Sequence, residues 1–166
     1  VLGLALTIEK NARAQLFGSG GEHLARELGN LPAPVRRRIA VAGLVPHLDL
    51  VPAMQRAQIV LCTSRMESFH LASAEGLCSG CSVVGPAEIP SMHWFTSEQS
   101  GTLAVDRSDA QLAAALGCEL ATWRTGARDP VQISAKWRGR FTARAVAAEV
   151  LRRLEEAGAA EPCGSR

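Results

Sequence analysis

The chain has 166 residues, of which 20% are charged, and a formal net charge of +2. A chain of this length can form one domain that buries a core without metals or disulfides. The balanced charge argues against a broad nucleic-acid-binding face, so we expect no nucleic-acid partner. No apolar run reaches the roughly 18–20 residues of a membrane span, and no signal peptide is visible.

Short apolar runs alternate with helical patterns along the chain. The runs predict five strands, at residues 13–17, 39–42, 59–62, 82–84 and 101–105. The patterns around them predict helices over 2–10, 22–28, 49–57 and 69–79, then helices that begin near 108, 130 and 143. Asp49 is expected to cap the third of these helices, with Pro52 in its first turn. Pro32 and Pro34 predict a loop.

Strands that are apolar on both faces and alternate with helices indicate a parallel sheet covered on both sides. We therefore predict an α/β fold, a Rossmann-like parallel sheet with helices on both faces, formed by residues 1–157 and followed by a disordered tail over 158–166. Ligands bind such sheets at the carboxyl ends of the strands. The loops at residues 18–21, 43–46, 63–69 and 85–90 are therefore the candidate binding loops.

The cysteines do not predict a disulfide framework or a metal site. There are five, with irregular spacing, and Cys78-Ser-Gly-Cys81 has no second pair of ligands to complete a zinc site. This Cys-x-x-Cys lies at the predicted end of a helix, where a small apolar side chain packs, rather than at a helix start, where a redox pair is activated. The four histidines are scattered, so no metal ligand is assigned.

Two glutamates eight positions apart, Glu67 and Glu75, flank the start of the fourth predicted helix. On a helical projection Glu75 falls between Leu71 and Cys78, on the apolar face. A buried carboxylate requires a partner, which could be a ligand hydroxyl, a core arginine or a backbone amide. An acidic residue at the position of Glu67 is also favoured by the helix dipole alone.

The same helix start offers a candidate anion site. The backbone amides of 68–72 would be free at the carboxyl end of a strand, where they can bind phosphate. His70 lies in this segment and could contact a ligand or serve only as a surface residue. Gly18-Ser-Gly-Gly21 lies between a strand and a helix and is a second candidate phosphate loop, although a tight turn explains it equally well.

Taken in order, these segments resemble the C-terminal domain of retaining glycosyltransferases of the GT-B fold, the group 1 (GT4) family. The resemblance rests on the strand with its glycine-rich loop, the Gly-x-Val-Pro turn, the Glu-x7-Glu segment and the two later strands with their glycines. In this chain they are Arg13–Glu22, Ile39–Pro46, Gln58–Glu75, Gly80–Gly85 and Gly101–Val105. The match covers nearly the whole chain.

The resemblance implies a role for each segment. Glu67, the catalytic assignment, would bind hydroxyls of the donor sugar, Glu75 would bind the ribose, and Val45 in its turn would contact the base. The remaining donor-binding positions would line the cleft or contact the diphosphate and sugar: Gly18, Ser19, Gly20, Ser68, Phe69, His70, Leu71 and Ala72. The implied reaction is metal-independent sugar transfer with retention, with a nucleotide-diphosphate sugar as donor and no other cofactor.

The chain departs from the family pattern at Ser68 and His70, where glycines are usual, and this leaves the identity of the donor open. The resemblance also implies that the acceptor domain and the basic clamp for the diphosphate precede this segment in a longer chain. We therefore expect this segment alone to bind donor weakly and to transfer nothing.

Two other interpretations remain. Ser68 and His70 could mark a degenerate Rossmann-like module that binds nucleotide or a protein without catalysis, and another enzyme of GT-B shape, such as an epimerase, would need different acid and base residues. The family further implies a cytoplasmic protein, with peripheral contact to the inner face of the membrane through the missing part, and a role in polysaccharide or cell-envelope synthesis.

Overall fold

The computed structural model describes residues 1–159. Residues 160–166, most of the predicted tail, lie outside the described residues, and the last helix extends to Ala159. In the described part there are five strands: β1 (Ala14–Phe17), β2 (Ile39–Gly43), β3 (Ile59–Leu61), β4 (Ser82–Pro86) and β5 (Gly101–Ala104). The helices are α1 (Leu2–Ile8), α2 (Gly21–Gly29), α3 (Ala33–Arg36), α4 (His47–Arg56), α5 (Leu71–Cys78), α6 (Pro90–Phe95), α7 (Asp109–Arg124), α8 (Pro130–Phe141) and α9 (Ala143–Ala159).

All strand pairs are parallel, and this confirms the predicted α/β class. The strands form two hydrogen-bonded groups, however, where the sequence predicted one sheet. β1 pairs with β2, and a second sheet has the order β3-β4-β5. Helices connect successive strands, including the short helix α6 between β4 and β5.

Three helix starts differ from the prediction. The Pro32–Pro34 region contains the short helix α3, because proline is accepted in a first helical turn. Helix α4 begins at His47, so Asp49 lies inside the first turn instead of capping it, and Pro52 lies within the helix. Helix α5 begins at Leu71 rather than at residue 69, because Phe69 packs its ring into an aromatic cluster (described below).

Strand β4 is the centre of the core. All five of its residues are buried, and Val83 and Val84 point to opposite faces, as alternation along a strand requires. Val83 belongs to a cluster on the α5 and α8 side that includes Phe95 and Trp137. Val84 belongs to a second cluster, which includes Ala5 of α1.

A buried ion pair joins α7 to the loop before α8, and a hydrogen bond from β5 to the same carboxylate joins α7 to the second sheet. Arg128 donates to both carboxylate oxygens of Glu119, at 2.6 and 2.7 Å, and Thr102 of β5 donates to the same carboxylate at 2.6 Å. Burial would raise the pKa of Glu119, but the hydrogen bonds from Arg128 and Thr102 outweigh it, so the pKa lies below its usual value. Glu119 is therefore a charged residue that is satisfied entirely within the core.

Candidate functional site

The loops that follow β3, β4 and β5 are tied together by Arg107. Its Nε donates to Glu88, after β4, at 2.6 Å, and its Nη1 donates to the carbonyl of Arg65, after β3, at 3.1 Å. Arg107 itself follows β5. The carboxyl edge of the second sheet is thus held as one surface, which is where a parallel α/β sheet binds its ligands.

The loops that follow β1 and β2 also meet. The amide of Gly18 donates to the carbonyl of Gly43 at 2.9 Å. Gly18 and Gly20 have φ angles of 123° and 100°, which side chains other than glycine rarely adopt. Ser19 between them is exposed, and no atom lies within 4 Å of a Cβ built on either glycine. The loop therefore presents open backbone.

Glu67 is oriented by its own loop. The hydroxyl of Ser64 donates to Glu67 Oε1 at 2.7 Å, and the glutamate is half-buried. Ser68 beside it is exposed. One carboxylate oxygen is thereby engaged, which holds the side chain in position while it can still accept from a ligand hydroxyl.

The start of α5 is anchored by an aromatic contact. The ring of Phe69 packs edge-on against Phe95 and Phe141, with centroids 5.2 and 5.8 Å apart. Since this holds the backbone outside the helix, the amides of residues 68 and 69 precede the first turn. The amides of Leu71 and Ala72 have no acceptor within the helix, as at every helix start. Of the five amides of residues 68–72, these two are the ones that the helix start leaves available to the predicted anion site.

His70 is the N-cap residue of α5, and its ring is held in place. Its Nδ1 lies 2.7 Å from the hydroxyl of Ser73, which is fully buried. Burial lowers the pKa of His70 below its usual value, and the nearby Glu67 offsets part of that shift. The imidazole is therefore mostly neutral at pH 7, so it can exchange hydrogen bonds with a ligand without adding a positive charge.

Glu75 lies at a groove between α4 and α5. Its side chain is 29% exposed, and Oε1 lies 3.7 Å from His47 Nε2. The groove has a volume of about 190 Å³, and it is lined by His47, Leu50, Val51, Met54, Glu75, Cys78, Ser79 and Arg138. Among the described contacts of residues 1–159, the carboxylate of Glu75 accepts no hydrogen bond, and His47 at 3.7 Å is its one ion-pair neighbour. Both oxygens of this carboxylate can therefore accept hydrogen bonds from a molecule bound in the groove.

The structure brings some predicted residues together and leaves others apart. Val45, half-buried, lies two residues before His47, which lines the groove beside Glu75, but Val45 itself is not among the residues that line this groove. Leu71, predicted on the apolar face of α5, is 61% exposed. Sequence reasoning missed His47 and Arg107, since their partners are distant in the chain and no local pattern links them.

Two further features lie away from this edge. A cleft of about 230 Å³ is lined by residues such as Ser100 and Lys136. It lies at the amino end of β5, opposite the edge where such sheets bind ligands.

Cys81 is fully buried, and its thiol donates to the Met54 carbonyl at 3.0 Å. Burial raises the pKa of this thiol to about 11, so the Cys-x-x-Cys pair packs as predicted.

Among residues 1–159, no three histidine, cysteine, aspartate or glutamate side chains are grouped closely enough to hold a metal ion. In that same range no helix combines the length and the apolar character of a membrane span.

No protein-family profile matches the chain, and no curated protein sequence does. Solved structures do resemble it. Anabaena HepE in complex with UDP superposes with a TM-score of 0.75 and 20% identity over 93% of this chain and 44% of HepE. The pneumococcal O-GlcNAc transferase GtfA, in complex with UDP and GlcNAc, gives 0.69 and 18% over 93% of this chain and 31% of GtfA.

Sucrose-phosphate synthase from Thermosynechococcus elongatus gives a TM-score of 0.65 with 19% identity over 96% of this chain and 42% of that enzyme. The chain thus spans less than half the length of each of these three structures. At this level of identity the likeness shows the fold, which is the Rossmann-like half of a GT-B structure.

Proposed function

We propose that this chain is the donor-binding half of a glycosyltransferase and that it binds a nucleoside-diphosphate sugar at the carboxyl edge of its strands. Two of the similar structures, HepE and GtfA, hold UDP. The roles below are those that the resemblance to GT-B glycosyltransferases implies, and the contacts of this chain's own residues support them.

The environment of the Glu75 carboxylate is the observation on which the proposal rests. A carboxylate that is only 29% exposed normally has a charged or hydrogen-bonded partner, yet the basic side chain described nearest to it is the exposed ring of His47 at 3.7 Å. Two hydroxyls of a ribose could donate to the two oxygens of such a carboxylate. The base would then extend from the ribose toward the turn at Val45, two residues before His47.

Glu67 and the start of α5 would bind the rest of the donor. The free amides of Leu71 and Ala72 would donate to a phosphate oxygen, supported by the positive end of the helix dipole. Glu67, fixed by Ser64, would accept hydrogen bonds from hydroxyls of the transferred sugar. The open backbone at Gly18–Gly20 would border the cleft.

This arrangement suits a transfer in which the donor is held and polarised by the protein itself. The α5 amides would stabilise the negative charge that grows on the departing diphosphate, and Glu67 would fix the sugar close to its developing positive charge. We further propose that the transfer retains configuration and requires no metal. In this scheme the acceptor site and a basic clamp for the diphosphate belong to another domain of the same polypeptide. A cytoplasmic location and contact with the inner face of a membrane through that domain are part of the same proposal.

The decisive experiment is calorimetric titration with UDP, GDP, ADP and CDP. We expect one nucleotide to bind, weakly in this chain alone, and Glu75→Gln to lower its affinity by at least about tenfold, because hydrogen bonds to a charged acceptor contribute about 1.5–3 kcal/mol. Glu155→Gln, an exposed substitution on α9, is the matched control and should leave the affinity unchanged.

If none of the four nucleotides binds, the chain is better described as a non-catalytic module. His70 favours that second candidate, because its half-buried ring stands at the helix start that would receive the phosphate. His70→Gly separates the two: recovered nucleotide binding would show that the ring blocks an otherwise intact site.

A further inference from the structure

The loop that carries Glu67 has few hydrogen bonds of its own. This Glu67 loop, residues 63–69, lies between β3 and α5, and among the described residues no backbone–backbone hydrogen bond involves it. Two other hydrogen bonds are described for it. One is internal, from Ser64 to Glu67 at 2.7 Å, and the second joins Arg107 Nη1 to the carbonyl of Arg65 at 3.1 Å. Arg107 is therefore the residue that holds the backbone of this loop to a neighbouring loop.

Arg107 is itself fixed by the strands beside it. Its backbone amide and its Nε both donate to Glu88 Oε2, at 3.0 and 2.6 Å. The residue before Glu88, Ala87, donates its amide to the carbonyl of Ala104 at 2.9 Å, and this bond ties the loop after β4 to β5. Strand β4 is buried throughout, and β5 pairs with it. The guanidinium thus connects the exposed Glu67 loop to the best-packed strands of the molecule.

The contact lies at the point of the loop that controls Glu67. The carbonyl of Arg65 lies two residues before Glu67 and directly after Ser64, whose hydroxyl orients the carboxylate. A planar guanidinium presents its donors in a fixed geometry, so one side chain can hold Glu88 and the Arg65 carbonyl at a set separation. A displacement of that carbonyl would move both Ser64 and Glu67.

We infer that Arg107 is a positioning residue for the donor sugar: it holds the Glu67 loop where the carboxylate of Glu67 meets the sugar hydroxyls. The inference rests on the proposed function. In this scheme Arg107 does not touch the donor and acts through Glu67. The start of α5 is fixed separately, by the packing of Phe69 against Phe95 and Phe141. Loss of Arg107 should therefore weaken recognition of the sugar and spare the nucleotide contacts of Glu75 and the α5 amides.

The exposure of the ion pair separates this role from a role in folding. The side chains of Arg107 and Glu88 are 45% and 41% exposed, and exposed pairs contribute little to stability. We therefore expect Arg107→Met to fold and to unfold in urea at nearly the same midpoint as the wild-type chain. A change in sugar recognition without a change in that midpoint is the mark of a positioning residue.

The first measurement needs no ligand. NMR relaxation gives the order parameters of the Met66 and Glu67 amides in the wild-type chain and in Arg107→Met, with Val83 and Val84 of β4 as references. We expect the Met66 and Glu67 values to fall in the variant toward the flexible range, below about 0.6, while the β4 values stay at about 0.85. Arg65→Met is the matched control, because it removes the same charge but keeps the carbonyl that Arg107 binds. Its order parameters should equal those of the wild type.

The second measurement is a pair of calorimetric titrations with UDP and UDP-glucose, both of which occur in HepE structures, or with the matching pair for whichever nucleotide binds. The ratio of the two affinities cancels the effect of a lost positive charge on the diphosphate. We expect Arg107→Met to lower the preference for the nucleotide sugar by at least about threefold, and to have no further effect in the Glu67→Gln background, because residues that act together are not additive. Arg65→Met should leave the ratio unchanged.

Two results would overturn the inference. One is equal order parameters of the Glu67 loop in the wild type and in Arg107→Met, and the other is an equal loss of preference in Arg107→Met with and without Glu67. Failure of the proposed function has a different signature, since no nucleotide would then bind the wild-type chain. The relaxation data from the ligand-free protein would still decide whether Arg107 holds the loop.

Discussion

The β3–β5 sheet and the β1–β2 sheet have similarly apolar sequences and very different environments. Every residue of β4 is buried. In β2, by contrast, Ala40, Val41 and Ala42 are all exposed, although Ile39–Ala42 is an unbroken apolar run. An apolar run thus indicates that a strand can be buried, but its neighbours decide whether it is.

The difference has a structural cause. Strand β4 has a strand on each side and a packed cluster on each face, whereas β2 is an edge strand next to a strand that itself has one partner. The proposed site joins the two regions: Glu67 and Glu75 belong to the well-packed one, and Gly18, Ser19, Gly20 and Val45 to the exposed one. We expect the two regions to respond differently to the following substitutions.

The largest contrast should come from apolar truncation. Phe95 is fully buried, so Phe95→Ala should reduce the free energy of unfolding by about 3–5 kcal/mol, through lost burial and the cavity left behind. Val41 is 45% exposed, and Val41→Ala should cost less than about 1 kcal/mol. Urea denaturation of both variants measures the difference. Similar losses would show that the β1–β2 sheet is as tightly packed as the other.

Substitution in the buried ion pair of Arg128 and Glu119 should reduce the free energy of unfolding nearly as much. Arg128→Met leaves the carboxylate of Glu119 buried without its partner, which should cost about 3 kcal/mol at pH 7. Because the pKa of Glu119 is lowered in the folded protein, its contribution is present above the carboxyl's usual pKa and is lost as the pH falls through the folded value.

The gap between wild type and Arg128→Met in thermal unfolding should therefore narrow as the pH falls below the carboxyl's usual pKa toward the folded value. Arg124→Met is the control, since that arginine is 65% exposed and lies 3.8 Å from Glu9, and exposed pairs contribute about 1 kcal/mol at most. A gap that stays constant with pH would mean that the carboxylate finds another partner.

A further prediction separates the two glutamates and rests on the proposed function. Glu67→Gln should leave the affinity for the free nucleoside diphosphate unchanged and lower that for the nucleotide sugar by about tenfold, or about 1.4 kcal/mol. Glu75→Gln should weaken both ligands alike. Paired calorimetric titrations measure the difference, and equal losses for both ligands in Glu67→Gln would remove Glu67 from the sugar site.

The glycine loop of the exposed region should show a smaller effect. Gly18→Ala meets no atom within 4 Å but must adopt a φ of 123°, so we expect a loss of about 1 kcal/mol from backbone strain alone. Gly29→Ala, at the end of α2, also meets no atom and has no positive φ, and it should stabilise the protein by about 0.5 kcal/mol. Equal effects in urea denaturation would contradict this.

The smallest effect concerns His70. Since burial lowers its pKa in the folded protein, the unfolded chain takes up the proton at higher pH. Stability should therefore fall as the pH drops below the histidine's usual value toward the folded one. The variant His70→Asn should lack this part of the pH dependence in thermal unfolding between pH 7 and pH 5, and an unchanged pH profile would show that the ring titrates normally.

Much of the fold could be predicted because its signals are local. The five strands were predicted within two residues at each end, since each is a short apolar run. The start of α5 was wrong by two residues because the packing of Phe69 against Phe95 and Phe141 is a long-range contact. The start of α4 was wrong for another reason: proline and histidine, rather than an acidic cap, occupy its first positions.

By itself the sequence determined the parallel α/β class, the strand positions and the segment that contains Glu67 and Glu75, because periodicity, glycines and turn residues act within a few positions of each other. Only the tertiary structure decided that the strands form two groups, that His47 faces Glu75, and that Arg107 joins three loops. Those contacts depend on where the chain returns in space, and no local pattern specifies which distant side chain will meet a given carboxylate or which edge a strand will find.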